Sequence, residues 1–159
     1  KKCLVTGGAG FIGSNLVDQL VKLDHQVIVL DNLSTGRLSN LHQVKNKIKF
    51  IDVDVSSSKN SIDKYFKNVD WVFHLAGIAD IIPSITNPED YFQTNVKGTL
   101  NILGASKKAK IKKFIYAASA SCYGIPDKYP TNEKSKTNPQ YPYALTKFLG
   151  EQFRGDIGE

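Results

Sequence analysis

Leu4-Val5-Thr6-Gly7-Gly8-Ala9-Gly10-Phe11-Ile12-Gly13 runs from an apolar stretch, through three glycines spaced three apart, into the start of an amphipathic segment. The run reads as a first strand feeding a phosphate-cradling turn. Gly7 permits the tight reversal, Gly10 lets backbone approach a pyrophosphate with no Cβ between them, and Gly13 lets the following helix pack closely on the strand. The helix N-terminus beyond favours an anion, so the ligand implied is a dinucleotide. The same pattern also describes a strand-to-helix loop that binds nothing, and the surrounding sequence has to decide between them.

Downstream, Ile12, Leu16, Leu20 and Leu23 recur with Val17 and Val21 at helical spacing, and Asp18, Gln19 and Lys22 take the other face. Val27-Ile28-Val29-Leu30 is a continuous apolar run ending at Asp31, as expected of a parallel strand covered on both faces. A polar loop, Asn32 to Arg37, precedes a third strand over Lys49-Phe50-Ile51-Asp52-Val53, closed by Asp54-Val55-Ser56. Ser61 to Lys67 reads as a short helix, and Trp71-Val72-Phe73-His74-Leu75 as a fourth strand running into Ala76-Gly77. Asn87-Pro88-Glu89-Asp90 predicts a helix start, with Asn87 as cap and Pro88 at the first position. That helix is expected to reach about Lys108 with Phe92, Val96, Leu100 and Leu103 on one face. The lysines from Lys107 to Lys113 complement its C-terminal dipole and suit a solvated structural role. Phe114-Ile115-Tyr116-Ala117 is a fifth strand, and after a long loop a last helix begins at Tyr143 and is interrupted by Gly155 and Gly158. Five strands alternating with helices make an α/β, doubly wound parallel sheet.

With 159 residues and 41% hydrophobic content, the chain can bury one core, so a single domain is expected. The net charge of +6 suits an anionic partner, but the lysines are interspersed with acids, which favours a small anionic molecule over nucleic acid. Cys3 and Cys122 lack metal-ligand spacing to His25, His42 or His74, so two reduced thiols and no zinc site are expected. No apolar run is long enough for a bilayer and Lys1-Lys2 leads straight into a strand, which together predict a soluble, cytoplasmic protein.

Several residues carry chemistry within this frame. Asp31, at the tip of the second strand, is placed to accept hydrogen bonds from adenosine ribose hydroxyls, and its charge repels a 2′-phosphate, favouring NAD over NADP. Tyr143 and Lys147 are four apart and share a helix face; a cation beside a phenol favours the phenolate, which makes Tyr143 a usable general base and acid. Alone, such a pair is equally a surface pair. Ser119 and Ser121 follow the fifth strand, at the sheet edge where open α/β folds bind ligands. Asn95 sits mid-helix, where its amide competes for backbone partners, so it either tethers another segment or faces water.

Taken in order, Thr6-Gly7-Gly8-Ala9-Gly10-Phe11-Ile12-Gly13, Asp31-Asn32-Leu33, His74-Leu75-Ala76-Gly77, Asn95-Val96-Lys97-Gly98-Thr99, Ser119-Ala120-Ser121-Cys122-Tyr123-Gly124 and Tyr143-Ala144-Leu145-Thr146-Lys147 resemble the extended short-chain dehydrogenase/reductases. The chain looks most like their NAD-dependent sugar-nucleotide epimerase/dehydratase branch, and the likeness covers nearly its whole length. The resemblance implies a Rossmann fold over residues 1–153, incomplete at its C-terminal end, with 154–159 a short tail and the C-terminal substrate domain absent. It implies that Gly7, Gly10 and Gly13 hold the pyrophosphate of NAD, that Phe11 and Ile12 lie beside it, and that Asp31 and Asn32 meet the adenosine ribose. Asp54 and Val55 would flank the adenine, while Leu75, Ala76 and Gly77 would line the cofactor. Asn95 would brace the site, Ser119, Ser121 and Tyr143 would contact the sugar, and Lys147 would hold the nicotinamide ribose while tuning Tyr143.

The activity implied is epimerisation of a UDP-sugar through a 4-keto intermediate. Dehydratase relatives carry an acid where Ser121 stands, and Ser121 is a poor acid for eliminating water. Two features depart from the UDP-galactose epimerase pattern: Ala79 replaces a lysine, and Arg154-Gly155-Asp156-Ile157-Gly158-Glu159 resembles part of a C-terminal domain more than a continuing helix. A 4,6-dehydratase or reductase, or a non-catalytic NAD-binding module, are the rival readings; the Tyr143/Lys147 pair argues against the last. Relatives of this kind dimerise through the helices that start near Pro88 and Tyr143, so a homodimer is expected.

Overall fold

The computed structural model describes residues 1–57 and 62–153. Five strands, β1 (Lys2–Thr6), β2 (Gln26–Asp31), β3 (Ile48–Asp52), β4 (Trp71–His74) and β5 (Lys113–Tyr116), pair in parallel in the order β3-β2-β1-β4-β5. The chain therefore winds outward from β1 in one direction, returns, and winds outward in the other. The point of reversal lies between β1 and β4, where their C-terminal ends leave a crevice.

Alternation along the strands explains why their sequences are apolar throughout. Leu4, Ile28, Leu30 and Val72 point into one core with Phe66 and Ile102, whereas Cys3, Val5, Val27 and Val29 point into a second with Val17, Leu20 and Leu41. Both faces are covered, as the doubly wound reading requires. Helix α1 (Phe11–Lys22) covers the second face through Val17 and Leu20. Its expected stripe is narrower than the spacing suggested: Ile12 and Leu23 are exposed, and Gly13 and Ser14 are buried instead. The helix lies so close to the glycine turn that a Cβ at Gly13 would come 2.2 Å from Gly7 O, leaving Ile12 to face outward at the crevice.

The segment from Ile81 differs most from expectation. Helix α2 (Ile81–Thr86) precedes the predicted start, its sequence disguised by three isoleucines and Pro83, which sits in the first turn where proline is tolerated. Because α2 ends there, Asn87 N–H bonds back to Pro83 O (2.8 Å), and Asn87 makes no side-chain cap. Pro88 does open the next helix, α3 (Pro88–Tyr91), which continues through a π-helical segment (Phe92–Lys97) into α4 (Gly98–Ala109). Val96 and Leu103 are buried as predicted, but Phe92 and Leu100 are exposed, and Tyr91, Asn95 and Thr99 turn inward.

Of the predicted helix Ser61–Lys67, Ser61 lies outside the described residues and Asp63–Phe66 forms a 3-10 turn. Lys108 and Lys112 pair with Asp63 and Asp70 at 2.9 and 2.6 Å, a surface role. After β5, Ser119 caps a 3-10 turn (Ala120–Tyr123), and α5 (Pro142–Phe153) carries the Tyr143/Lys147 pair. Gly155, Gly158 and the rest of the 154–159 tail lie outside the described residues. Cys3 and Cys122 are free and buried, and no described helix is long and apolar enough to cross a membrane.

Candidate active site

The glycine turn after β1 is built for close approach. Gly7 takes φ +67°, and a Cβ there would lie 2.7 Å from Ala76 N, so both conformation and space require glycine. At Gly10 a Cβ would meet only Gly7 O, at 3.2 Å; the rest of its surroundings is open crevice. Ser14 N–H to Gly10 O (2.9 Å) is the first bond of the turn into α1, and the N–H groups of Phe11, Ile12 and Gly13 precede it. All three residues line the crevice, and the helix carries no side-chain cap there. The combination is an anion cradle that any larger residue at Gly10 would obstruct.

The Ala9 peptide is pinned at both ends. Its N–H donates to Asp31 Oδ2 (2.9 Å), and its carbonyl accepts from Arg37 N–H (3.0 Å) and Asn40 Nδ2 (2.8 Å). Asp31 Oδ1 accepts in turn from Leu33 N–H (2.8 Å). Asp31, nearly buried, thus fastens the glycine turn to β2 as well as facing the crevice, a double role that strand-tip position alone did not reveal. Asp54 Oδ1 is held by Ser56 N–H and Oγ at 2.8 and 2.7 Å, and Val55 O accepts from Asn101 Nδ2 at 2.8 Å.

One crevice of about 350 Å³ gathers Gly7, Gly10, Phe11, Ile12, Gly13, Asp31, Asn32, Asp54, Val55, Leu75, Ala76 and Gly77, every residue expected along the cofactor except Asn95 and the Tyr143/Lys147 pair. Ser34, Thr35, Ile78, Ala79, Thr94 and Ala117 join them unanticipated. The polar loop after β2 was a visible signal for Ser34 and Thr35. Thr94, one polar residue among several along a helix, had none.

Asn95 stands directly behind the crevice wall, 1% exposed. Its Oδ1 accepts from Ile78 N–H (2.9 Å), and its Nδ2 donates to Ile78 O (3.0 Å) and to Thr146 Oγ1 (3.1 Å). Thr146 donates onward to Tyr143 O at 2.8 Å. The mid-helix asparagine is therefore a tether: one amide joins the loop after β4 to the helix that carries Tyr143. Half-buried Tyr143 packs edge-on against Tyr91, ring centroids 6.4 Å apart, and Tyr91 Oη donates to Ala79 O.

Lys147 is buried, with Nζ 4.4 Å from the Tyr116 ring centroid, and Tyr116 Oη donates to Lys147 O (3.2 Å). Burial holds the ammonium down to about 8. A Cβ at Gly77 would lie 2.9 Å from Asn95 Oδ1 and 4.0 Å from Lys147 Nζ, so crevice wall, tether and cation meet at one glycine. Ser119 Oγ and Ser121 Oγ are 2.7 Å apart, and Ser119 Oγ also accepts from Ser121 N–H (3.2 Å). They follow Ala117 at the crevice end, and their turn rests on α5, where Cys122 Sγ reaches Ala144 O at 3.8 Å. An anion cradle, a crevice-lining carboxylate, a buried cation and a tyrosine four residues from it can together bind a dinucleotide and move a proton beside it.

Residues 3–156 match the NAD dependent epimerase/dehydratase family. A UDP-glucose 4-epimerase of Mycolicibacterium smegmatis is 40% identical over 156 residues, covering 96% of this chain and 50% of that protein. The crystal structure of UDP-glucose 4-epimerase from Bifidobacterium longum, in complex with NAD+ and UDP, superimposes with a TM-score of 0.90 at 34% identity, covering 99% of this chain and 49% of the other. A dTDP-glucose 4,6-dehydratase from Streptomyces venezuelae, solved with NAD bound, gives 0.89 at 30% identity, covering 96% and 50%. The chain spans about half the length of the relatives it matches.

Proposed function

The chain belongs to the NAD-dependent epimerase/dehydratase family, and we propose that it supplies the NAD-holding and catalytic part of a UDP-sugar 4-epimerase. The observation that carries the reading is the Asn95 tether: it joins the wall of the dinucleotide crevice to the helix bearing Tyr143 and Lys147. The glycines fit NAD, since Gly10 opens onto the crevice where a side chain would fill the cradle.

Gly7, Gly10 and Gly13, with the first N–H groups of α1, hold the pyrophosphate, flanked by Phe11 and Ile12. Asp31 and Asn32 take the adenosine ribose, and Asp54 and Val55 border the adenine. Leu75, Ala76 and Gly77 would line the cofactor, and Lys147 would donate to its nicotinamide ribose. When bound, NAD supplies reversible hydride acceptance at the sugar C4. Tyr143 removes the proton of the 4-hydroxyl and returns it at the end of the cycle, with Ser119 hydrogen-bonding the same oxygen and Ser121 supporting Ser119. The transient 4-keto sugar turns over between these events, so no external reductant is consumed. Ser121, where dehydratases carry an acid, favours epimerisation over loss of water.

Incubating the whole protein with UDP-glucose or UDP-N-acetylglucosamine should give the C4 epimer with no net NADH. Water loss or net cofactor consumption would assign it to the dehydratases or reductases instead. Tyr143→Phe should lower kcat by roughly 10²–10⁴-fold with NAD affinity unchanged; an unaltered kcat would remove Tyr143 from the mechanism. The reading includes a homodimer, supported by the apolar groove that Pro88, Phe92, Tyr141, Leu145 and Leu149 line between α3 with its π extension and α5, and a cytoplasmic location, supported by two free thiols.

A further inference from the structure

His74, at the C-terminal end of β4, is fully buried, yet both its ring nitrogens have partners: Nδ1 lies 2.6 Å from Thr6 Oγ1 and Nε2 lies 2.9 Å from Thr99 Oγ1. The partners' other bonds decide the direction of each contact. Thr99 spends its single hydroxyl proton on Asn95 O (2.5 Å), so toward His74 it can only accept, and Nε2 must carry the ring proton. Thr6 Oγ1 accepts from Ala76 N–H (3.1 Å) and keeps its own proton to give to Nδ1. The chain then runs one way throughout: Ala76 N–H to Thr6, Thr6 O–H to His74 Nδ1, His74 Nε2–H to Thr99, and Thr99 O–H to Asn95 O. The opposite tautomer would leave the Thr6 hydroxyl proton without an acceptor among the described residues and would ask Thr99 to donate twice.

The two ends of this chain return to the same short loop. Ala76 N–H is its first donor, and Asn95, its last acceptor, clamps Ile78 through both polar groups of its side chain. We propose that His74 is a positioning residue, a neutral imidazole locked as the Nε2–H tautomer, which fixes the Leu75–Ile78 crevice wall at Ala76 from one side and, through Thr99 and Asn95, at Ile78 from the other. The charged and titratable groups near it agree. Lys147 is the cation that opposes a second positive charge on the ring, and the Tyr116 ring stacks on it at 5.8 Å, with its phenol pushed up by burial. Burial, and then Lys147, hold the imidazole down to about 3, so it is neutral from pH 8 to pH 5. The inference concerns how the wall is held and does not depend on which sugar reaction follows, nor on NAD being present.

Two measurements on the free chain test it. In the unsubstituted protein, 15N correlation spectra of the imidazole should show an Nε2–H tautomer, unchanged from pH 8 to pH 5. An Nδ1–H ring, or protonation within that range, overturns the proposal without any variant having to fold. In His74→Leu, a volume-filling change, amide exchange at Ala76 and Ile78 should speed up at least tenfold while Val5 and Phe73 in the strands keep their protection. His74→Gln, which retains a donor and an acceptor, should recover part of that protection. Unchanged exchange at Ala76 and Ile78 in a folded His74→Leu protein would reduce His74 to a space-filler.

Discussion

Lys147 shows how a single side chain sets function against stability. Its pKa falls from the ordinary 10.5 to about 8 because folding strips water from the ammonium. Below pH 8 both folded and unfolded chains carry the proton, and the folded one bears the full cost of the buried charge, about 3 kcal/mol. Between about pH 8 and 10.5 the folded lysine is neutral while the unfolded one is still protonated, so the cost is progressively relieved as pH rises. Lys147→Met should therefore raise the stability of the free protein at pH 7 by roughly 1–3 kcal/mol. The advantage should shrink toward pH 10, as urea unfolding of the two proteins at both pH values would reveal, and it should come with loss of the epimerase activity proposed above. Cys3, raised by burial, also titrates in alkali, and the difference between the two proteins removes its contribution, whereas Cys122 and Tyr116 face Lys147 and respond to its replacement. The burial of Lys147 was not legible in the sequence, where Tyr143 and Lys147 read as a pair on one helical face with the cation favouring the phenolate. Four-residue spacing says that they are neighbours, and only the packing of Tyr116 over Lys147 says that the cation is dry.

At the scale of elements, one helix serves two contacts across the π turn between α3 and α4. Tyr91 reaches Ala79 O and Asn95, four residues on and so on the same face, reaches Ile78. Deleting exposed Phe92 should restore a regular α-helix and sacrifice one of these contacts. NAD affinity, read by calorimetry, should fall at least tenfold, while helix content by circular dichroism stays near that of the parent. The sequence pointed to a helix here and to Asn95 as a misfit within it, but not to which of two adjacent stripes faces inward. The predicted positions Phe92 and Leu100 come out on the surface, and Tyr91, Asn95 and Thr99, equally four apart, turn inward with Ile102. The Asn87 cap failed for a related reason: a signal that is sound for an isolated helix start loses its meaning when α2 ends one residue earlier.

For the molecule as a whole, the sheet and its crevice were readable because they rest on repeated, local patterns: apolar strand runs, a glycine turn and an acid at a strand tip. Contacts between elements distant in sequence, such as His74 with Thr6 and Thr99, leave no such pattern. The groove flanked by half-exposed Phe92 and Leu145 belongs to this scale too. If it is the dimer face, Leu145→Glu should convert the whole protein from dimer to monomer in sedimentation velocity at micromolar concentration, whereas an unchanged sedimentation coefficient would place the interface elsewhere. The Ala9 peptide has a consequence for ligand exchange. Held at its N–H by Asp31 and at its carbonyl by Arg37 and Asn40, it acquires its shape when the chain folds. A dinucleotide arriving at the turn meets donors that are already aimed, so little ordering entropy opposes its association, and its departure leaves the turn ready for the next molecule.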